Sequence, residues 1–380
     1  MKTYYSDTTV SAKTERESSF ELLRIIAMYA ILISHFATHG KFNYDTTVIS
    51  IPRLWWYFIE MGGKFGVNIF VMISGYFLII DKSGLLNLKR ILKFWGQVFF
   101  YSTAIYLVFT LSGIVEFSVG SFIKSFFPIT CDTWGFASTY FVLYLIHPFL
   151  NIFLKSLKKI EFQNMLFLLL AIWCLIPTFL SSDFQGNTLL WFITLYSMAA
   201  YIRLYGLNRV FNIKHHVFFW AIFTLLRYLS AIIIIVIGTK IPVLVEYGLH
   251  FYKSQSILTL FSTLSFFMIF ESLNIGHQKG INTVASASFG VYLIHENPIV
   301  RILLWTTVFK NAFYQNSILL IPYSVLVSLL VYTVCTLIDL IRQATVEKAF
   351  IIIINKYTDD IKSSISVLIQ QCKTSLFGDN

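Results

Sequence analysis

The sequence predicts an all-α membrane protein, a polytopic bundle of about ten transmembrane helices with both termini in the cytoplasm. Three observations predict it. The first is composition: of 380 residues, 57% are hydrophobic, 18% aromatic and only 13% charged, with mean hydropathy +0.71. A soluble domain carries roughly 25% charged residues. The charge here is too sparse to cover a water-facing surface, so the solvent must be lipid. The second is that apolar runs close to the roughly 20 residues a span needs recur ten times along the chain. The third is the placement of Lys and Arg, nineteen in segments that an N-in topology leaves in the cytoplasm against seven outside.

The elements follow in order. Residues 1–19 are mostly polar and form a cytoplasmic tail; no small-residue cleavage site follows, so the first apolar run reads as a retained anchor. The spans are expected at 20–37, 66–80, 91–111, 139–154, 162–180, 188–204, 217–237, 257–273, 285–308 and 318–340, which together make one membrane domain over 20–340. The second and fourth are short and borrow flanking aromatics. Residues 341–380 mix "AFIIII" and "ISVLI" with charge and are expected as a cytoplasmic tail lying along the inner surface. No soluble extracytoplasmic domain is expected. The net charge of +10 is then a topology signal, and a nucleic-acid partner is not expected. Cys131, Cys174, Cys335 and Cys372 show neither disulfide pairing nor zinc-ligand spacing.

Ionisable groups inside spans cost about 2.5 kcal/mol or more and usually face a cavity or a partner. The first span contains "RIIAMYAILISH", with Arg24 and His35 eleven steps apart. On an α-helix that separation is about 16 Å of rise and about three full turns. The two side chains therefore share one face, about 20° apart. An arginine at the inner end suits a phosphate or carboxylate. A histidine further out, titrating near neutrality, can take a proton from a hydroxyl. His39 is expected in solvent at the outer loop. The second span, "GKFGVNIFVMISGYFLII", places Ser74, Gly75 and Tyr76 near mid-depth; either Gly75 lets helices approach and Ser74 bonds its own backbone, or the hydroxyls line a cavity opposite span 1. The ninth, "ASFGVYLIHENPIVRILLW", carries Tyr292, His295, Glu296 and Arg301 around Pro298, which kinks the helix. His147 and Arg227 are further ionisable residues within spans, to which the sequence assigns no role.

Taken in order, the Arg-x10-His of span 1, "FGVNIFVMISGYFL", "WGFASTYFVLYLIHPFLN" and "SASFGVYLIHENP" resemble the acyltransferase-3 family of integral membrane proteins over about residues 20–340. The resemblance implies an O-acyltransferase that moves an acyl group, most often acetyl, from cytoplasmic acetyl-CoA to hydroxyls of a glycan at the outer face. It makes Arg24 and His35 the functional pair, with His295 and Glu296 beside them. Arg24 with Lys89, Arg90 and Lys93 would hold the CoA phosphates. Ser74, Tyr76, Tyr292 and Arg301 would line the substrate cavity, and no metal is expected. The acceptor would be an exopolysaccharide, capsule or other surface glycan, and the location the plasma membrane. A bias to Phe, Ile, Asn and Lys fits an AT-rich bacterium. Buried polar groups alone would equally suit a secondary transporter or flippase for a glycan or organic anion.

Overall fold

Lipid supplies no hydrophobic drive for helices to associate, so membrane bundles pack where small residues let backbones approach. The third helix of this chain shows the rule. Gly62 and Gly66 are one turn apart, and a Cβ on either would fall 2.6 or 2.5 Å from the carbonyl oxygens of Ala30 and Ala27 on the first helix. On the opposite face Gly75 meets the backbone of Tyr196. These seams build the bundle around its first helix.

The computed structural model describes residues 17–81, 87–180, 186–207 and 211–377, and among them no strand is present. The chain is an all-α membrane bundle. Its helices are α1 Ser18–Thr38, α2 Ile51–Glu60, α3 Gly62–Leu78, α4 Leu88–Leu111, α5 Val119–Phe126, α6 Gly135–Ser156, α7 Lys159–Leu170 and α8 Ile176–Leu180. They continue as α9 Thr188–Tyr205, α10 Ile213–Gly238, α11 Ile257–Glu271, α12 Lys279–Ser286, α13 Ser288–His295, α14 Pro298–Ile302, α15 Leu320–Arg342 and α16 Lys348–Phe377. Helix α1 packs against α2, α3, α11, α12, α13 and α15, with Leu23, Ala27, Leu32 and Phe36 fully buried. Leu111, Ile233, Leu326 and Ile341 remain exposed on the outer helix faces, as a lipid-facing surface requires.

Eight stretches among the described residues are long and apolar enough to cross a membrane. Two of the ten expected spans are not among these eight, although the sixth does form as one helix at its expected place. The sixth is the inner helix α9, in which Trp191, Leu195 and Ala199 are buried together with the hydroxyls of Thr194 and Ser197. The ninth is broken into α12, α13, α14 and a π-helical turn, Leu303–Val308. The short second span gains α2, so that Ile51–Leu78 forms one stretch bent at Met61. Between α10 and α11 the chain dips back as two 3-10 turns, Pro242–Tyr247 and His250–Tyr252. Beyond α15 a π-helical turn leads into α16, whose Phe350 packs on Gly96 of α4. The expected N-terminal tail lies almost wholly outside the described residues.

Pro298 explains the break in the ninth span. Proline has no N–H to donate but suits the first position of a helix. Helix α13 therefore ends at His295, and α14 starts at Pro298 with the Asn297 side chain accepting from the Ile299 N–H at 3.0 Å. Glu296 and Asn297 stand in the gap. Irregular backbone at membrane depth is tolerated where it lines a cavity.

Candidate active site

Helix α1 carries His35 one turn from its outer end, and the break after α13 brings His295 and Glu296 to it from the other side of the seam. His35 Nδ1 lies 3.0 Å from His295 Nε2 and 3.1 Å from Glu296 Oε2. His39 Nε2 comes within 3.2 Å of the same carboxylate oxygen. Arg301, on the first turn of α14, donates to Glu296 Oε1 at 2.8 Å. His35 thus meets His295 and Glu296, and Glu296 in turn gathers His39 and Arg301. Most of the carboxylate is withdrawn from solvent, so the guanidinium that offsets its charge acts at low dielectric.

The proton positions follow from chemistry. His295 Nδ1 is 2.6 Å from the carbonyl of Val291, and a carbonyl can only accept, so Nδ1 carries the hydrogen. Neutral His295 is then bare at Nε2 and accepts from Nδ1–H of His35. That leaves the second ring nitrogen of His35, Nε2, bare and without a partner among the described residues. Glu296 Oε2, 3.1 Å from His35 Nδ1 but not hydrogen-bonded to it, favours a proton there through its charge alone.

His35 lines a cavity of about 370 Å³ with Ser34, Thr38, His39 and Glu296. The far walls come from Glu60, Gly63 and Lys64 at the α2–α3 bend and from Leu249, Tyr252 and Lys253 of the dipping loop. These wall residues lie on the side that the expected topology puts outside. Thr38 donates to Glu60 at 2.8 Å, tying the end of α1 to the end of α2.

The other expected site residues lie elsewhere. Since α1 and α3 run antiparallel with Gly63 on Ser34, Arg24 and Ser74 fall at similar depth, about 16 Å below the cavity. Ser74 is 2.8 Å from the hydroxyl of Tyr140, which is within electrostatic reach of Arg24. Arg24 pairs with Glu21 at 2.6 Å. Tyr76, two positions from Ser74, points to the opposite side of α3, as a 200° turn dictates. It accepts from Arg203 at 3.0 Å and stacks with Phe20. Tyr292 links the two levels, its ring 5.5 Å from Phe136 and 6.3 Å from His295, while Phe136 reaches Tyr140 at 5.7 Å. Along the stripe from Arg24 to His35, Met28 and Ile31 are buried in the core. Of the basic loop, Arg90 pairs with Asp81, and Lys93 reaches Glu347 at 2.6 Å. Lys89 is exposed at the start of α4.

The chain matches the acyltransferase-3 family, described as an acyltransferase domain, over residues 17–340. It belongs to that family. No curated protein and no solved structure matches the chain. This acyltransferase therefore has its Arg-x10-His pair on one helix, with only the histidine at the cavity. Sequence reasoning missed three parts of the site. His39, expected in solvent, caps α1 inside the cluster; its position one turn beyond His35 was the available signal. Glu60, Lys64 and Tyr252 reach the cavity through a helix bend and a loop that no local pattern announces. Asp339, in "TLIDLIR", is fully buried on α15, accepts from Tyr101 at 2.7 Å and Arg342 at 2.8 Å, and packs on Gly290 of α13. It braces the helix that carries His295.

His35, His39 and Glu296 place their ligand atoms within 4.8 Å of one another, a residue set that zinc also uses. A metal on His35 Nδ1 would need that nitrogen bare. It would also have to displace the proton that the 3.0 Å contact between His35 Nδ1 and His295 Nε2 shares. The residues fit a hydrogen-bonded relay better than a metal centre.

Proposed function

We propose that this membrane acyltransferase moves an acyl group, acetyl foremost, from cytoplasmic acyl-CoA to a hydroxyl of a surface or exported polysaccharide, in a bacterial plasma membrane. The observation that carries the reading is the relay from Val291 through His295 to His35, which leaves His35 Nε2 as a base at the wall of a cavity.

A sugar hydroxyl entering the cavity gives its proton to His35 Nε2 as its oxygen attacks the thioester carbonyl. Collapse of the tetrahedral adduct breaks the carbon–sulfur bond, and the imidazolium returns the proton to the departing CoA thiolate. Glu296, 3.1 Å from Nδ1, stabilises the imidazolium while Arg301 keeps the carboxylate in place. His295 fixes the ring and its tautomer. At the inner level Arg24 and the exposed Lys89 attract the CoA phosphates, with Arg24 leaving Glu21 for the stronger anion. The acyl-bearing arm rises past Ser74 and Tyr140 and between the rings of Phe136 and Tyr292, which turn aside to admit it.

The test is acyl transfer by purified protein in detergent, with acetyl-CoA and polysaccharide from a strain deleted for the gene. Wild-type protein releases CoA in proportion to added polysaccharide and forms alkali-labile ester. His35→Ala elutes as folded protein but loses about 10²–10⁴ in kcat, the usual worth of a positioned general base. Transfer at the wild-type rate by His35→Ala rejects the assignment. Arg24→Ala raises KM for acetyl-CoA before that for polysaccharide; the reverse order rejects the phosphate role.

A further inference from the structure

Arg227 is a buried ion that the reaction leaves unused. It sits on α10 with 1% of its surface exposed, and no carboxylate pairs with it among the described residues. Of the other buried arginines, Arg342 has Asp339 at 2.8 Å and Glu347 at 2.9 Å, and Arg53 donates to three loop carbonyls, of Asp45, Thr46 and Val48. An ionised group in this setting is expensive unless its surroundings replace the water it has lost. Three features of the fold replace it. The NH2 group donates to the carbonyl of Met61 at 2.7 Å. The guanidinium carbon lies 5.5 Å from the ring centre of Tyr252 and 6.0 Å from that of Phe65. Its Nε has no partner.

Those contacts have one thing in common. Met61 is the residue at which α2 bends into α3, between Glu60 on one side and Gly63 and Lys64 on the other, and these three form one wall of the His35 cavity. Tyr252 belongs to the dipping loop and, with Leu249 and Lys253, lines the same cavity as a second wall segment. One cation thus holds the Met61 carbonyl, next to Glu60 and Gly63 of the cavity lining, and the ring of Tyr252, which lines the cavity itself. Met61, Tyr252 and the α10 residues Ala231 and Ile235 share a small apolar cluster, separate from the core around α1 and α13. Arg227 touches neither His35 nor the broken ninth span.

We propose that Arg227 is a positioning residue for the acceptor: it ties the α2–α3 bend to the loop at Tyr252 and so sets the width of the cavity into which the sugar hydroxyl enters. The assignment of the acceptor to this cavity rests on the function proposed above; the tie itself does not. Replacing the guanidinium loosens both walls together and leaves the His35 relay intact.

Two measurements test it. Hydrogen exchange on the full-length protein in detergent, comparing wild type with Arg227→Met, is expected to show faster exchange over both 60–66 and 249–253 and unchanged exchange over 291–296. This readout is independent of any activity. With acetyl-CoA and polysaccharide from the deletion strain, Arg227→Met is expected to raise the polysaccharide KM about tenfold or more, the loss of a hydrogen bond from a charged donor. Here kcat and the acetyl-CoA KM stay within about twofold, and Arg227→Lys, which keeps the cation over Tyr252, recovers most of the affinity. Loosening of only one wall, or of 291–296 as well, overturns the tie. A fall in kcat at unchanged KM, or a lysine variant no better than methionine, overturns the positioning role. If the exchange result holds while polysaccharide stimulates no transfer by wild-type protein, the tie stands and the acceptor assignment falls. Should Arg227→Met not fold, Tyr252→Leu removes the ring beneath the cation and is expected to show the same two-wall exchange; protection of 60–66 equal to wild type overturns the proposal.

Discussion

At the scale of single residues, chemistry at this site is set by where protons can reside. The Val291 carbonyl cannot donate, and from that one fact the hydrogens of His295 and His35 fall into place. Glu296→Gln keeps the shape of the carboxylate but removes its charge, and its amide nitrogen can then donate towards His35 Nδ1, which favours the wrong tautomer. We expect kcat to fall about 10²–10⁴ with the acceptor KM little changed, by the logic of the serine-protease triad; a rise in KM with kcat unchanged contradicts the relay. The same proton assignment predicts that chelators leave activity unchanged. Metal analysis of active protein showing one equivalent of zinc would instead put a cation between His35, His39 and Glu296. The sequence singled out His35, His295, Glu296 and Arg301 separately, and the structure brings them together. The sequence also paired Ser74 with Tyr76, which neighbouring positions on a helix forbid, because their side chains leave the axis in opposing directions.

Among the elements, two packing contacts carry the geometry. On α3 the Gly62 and Gly66 seam sets how close α1 lies, and hence which depth His35 shares with the α2–α3 bend. On α13, Gly290 meets the carboxyl group of Asp339, and a Cβ there would overlap it. Gly290→Ala is therefore expected to destabilise the protein by about 1–3 kcal/mol, the usual effect of overpacking. The shift it forces on α13 moves His295 away from His35, so transfer falls more than the amount of folded protein does. Thermal unfolding in detergent alongside the rate separates the two, and a variant with wild-type melting and rate removes Asp339 from the account. Periodicity and apolar length located these helices in the sequence. They could not locate the bend at Met61 or the 3-10 turns, whose apolar residues read as parts of loops and spans.

For the whole molecule, orientation rests on charge. Cys131 is exposed, in the segment between α5 and α6 that the distribution of Lys and Arg places outside. Whole cells treated with a membrane-impermeant maleimide should label the protein, and Cys131→Ser should abolish the signal, since Cys174 and Cys335 are buried and Cys372 lies on the expected cytoplasmic side. Labelling that appears only after permeabilisation reverses the topology and with it the outward face of the cavity. The sequence by itself determined the solvent, the helical class and the Arg-x10-His stripe, because hydropathy, charge bias and helical rotation are local properties that need no partner. Tertiary structure alone decided that His35 meets His295 and Glu296 across 260 residues of chain, that Met28 and Ile31 separate it from Arg24, and that Arg227 joins the Met61 carbonyl to the Tyr252 ring. Those outcomes depend on which helices become neighbours and at what depth, and that is set by close packing between segments far apart in the chain.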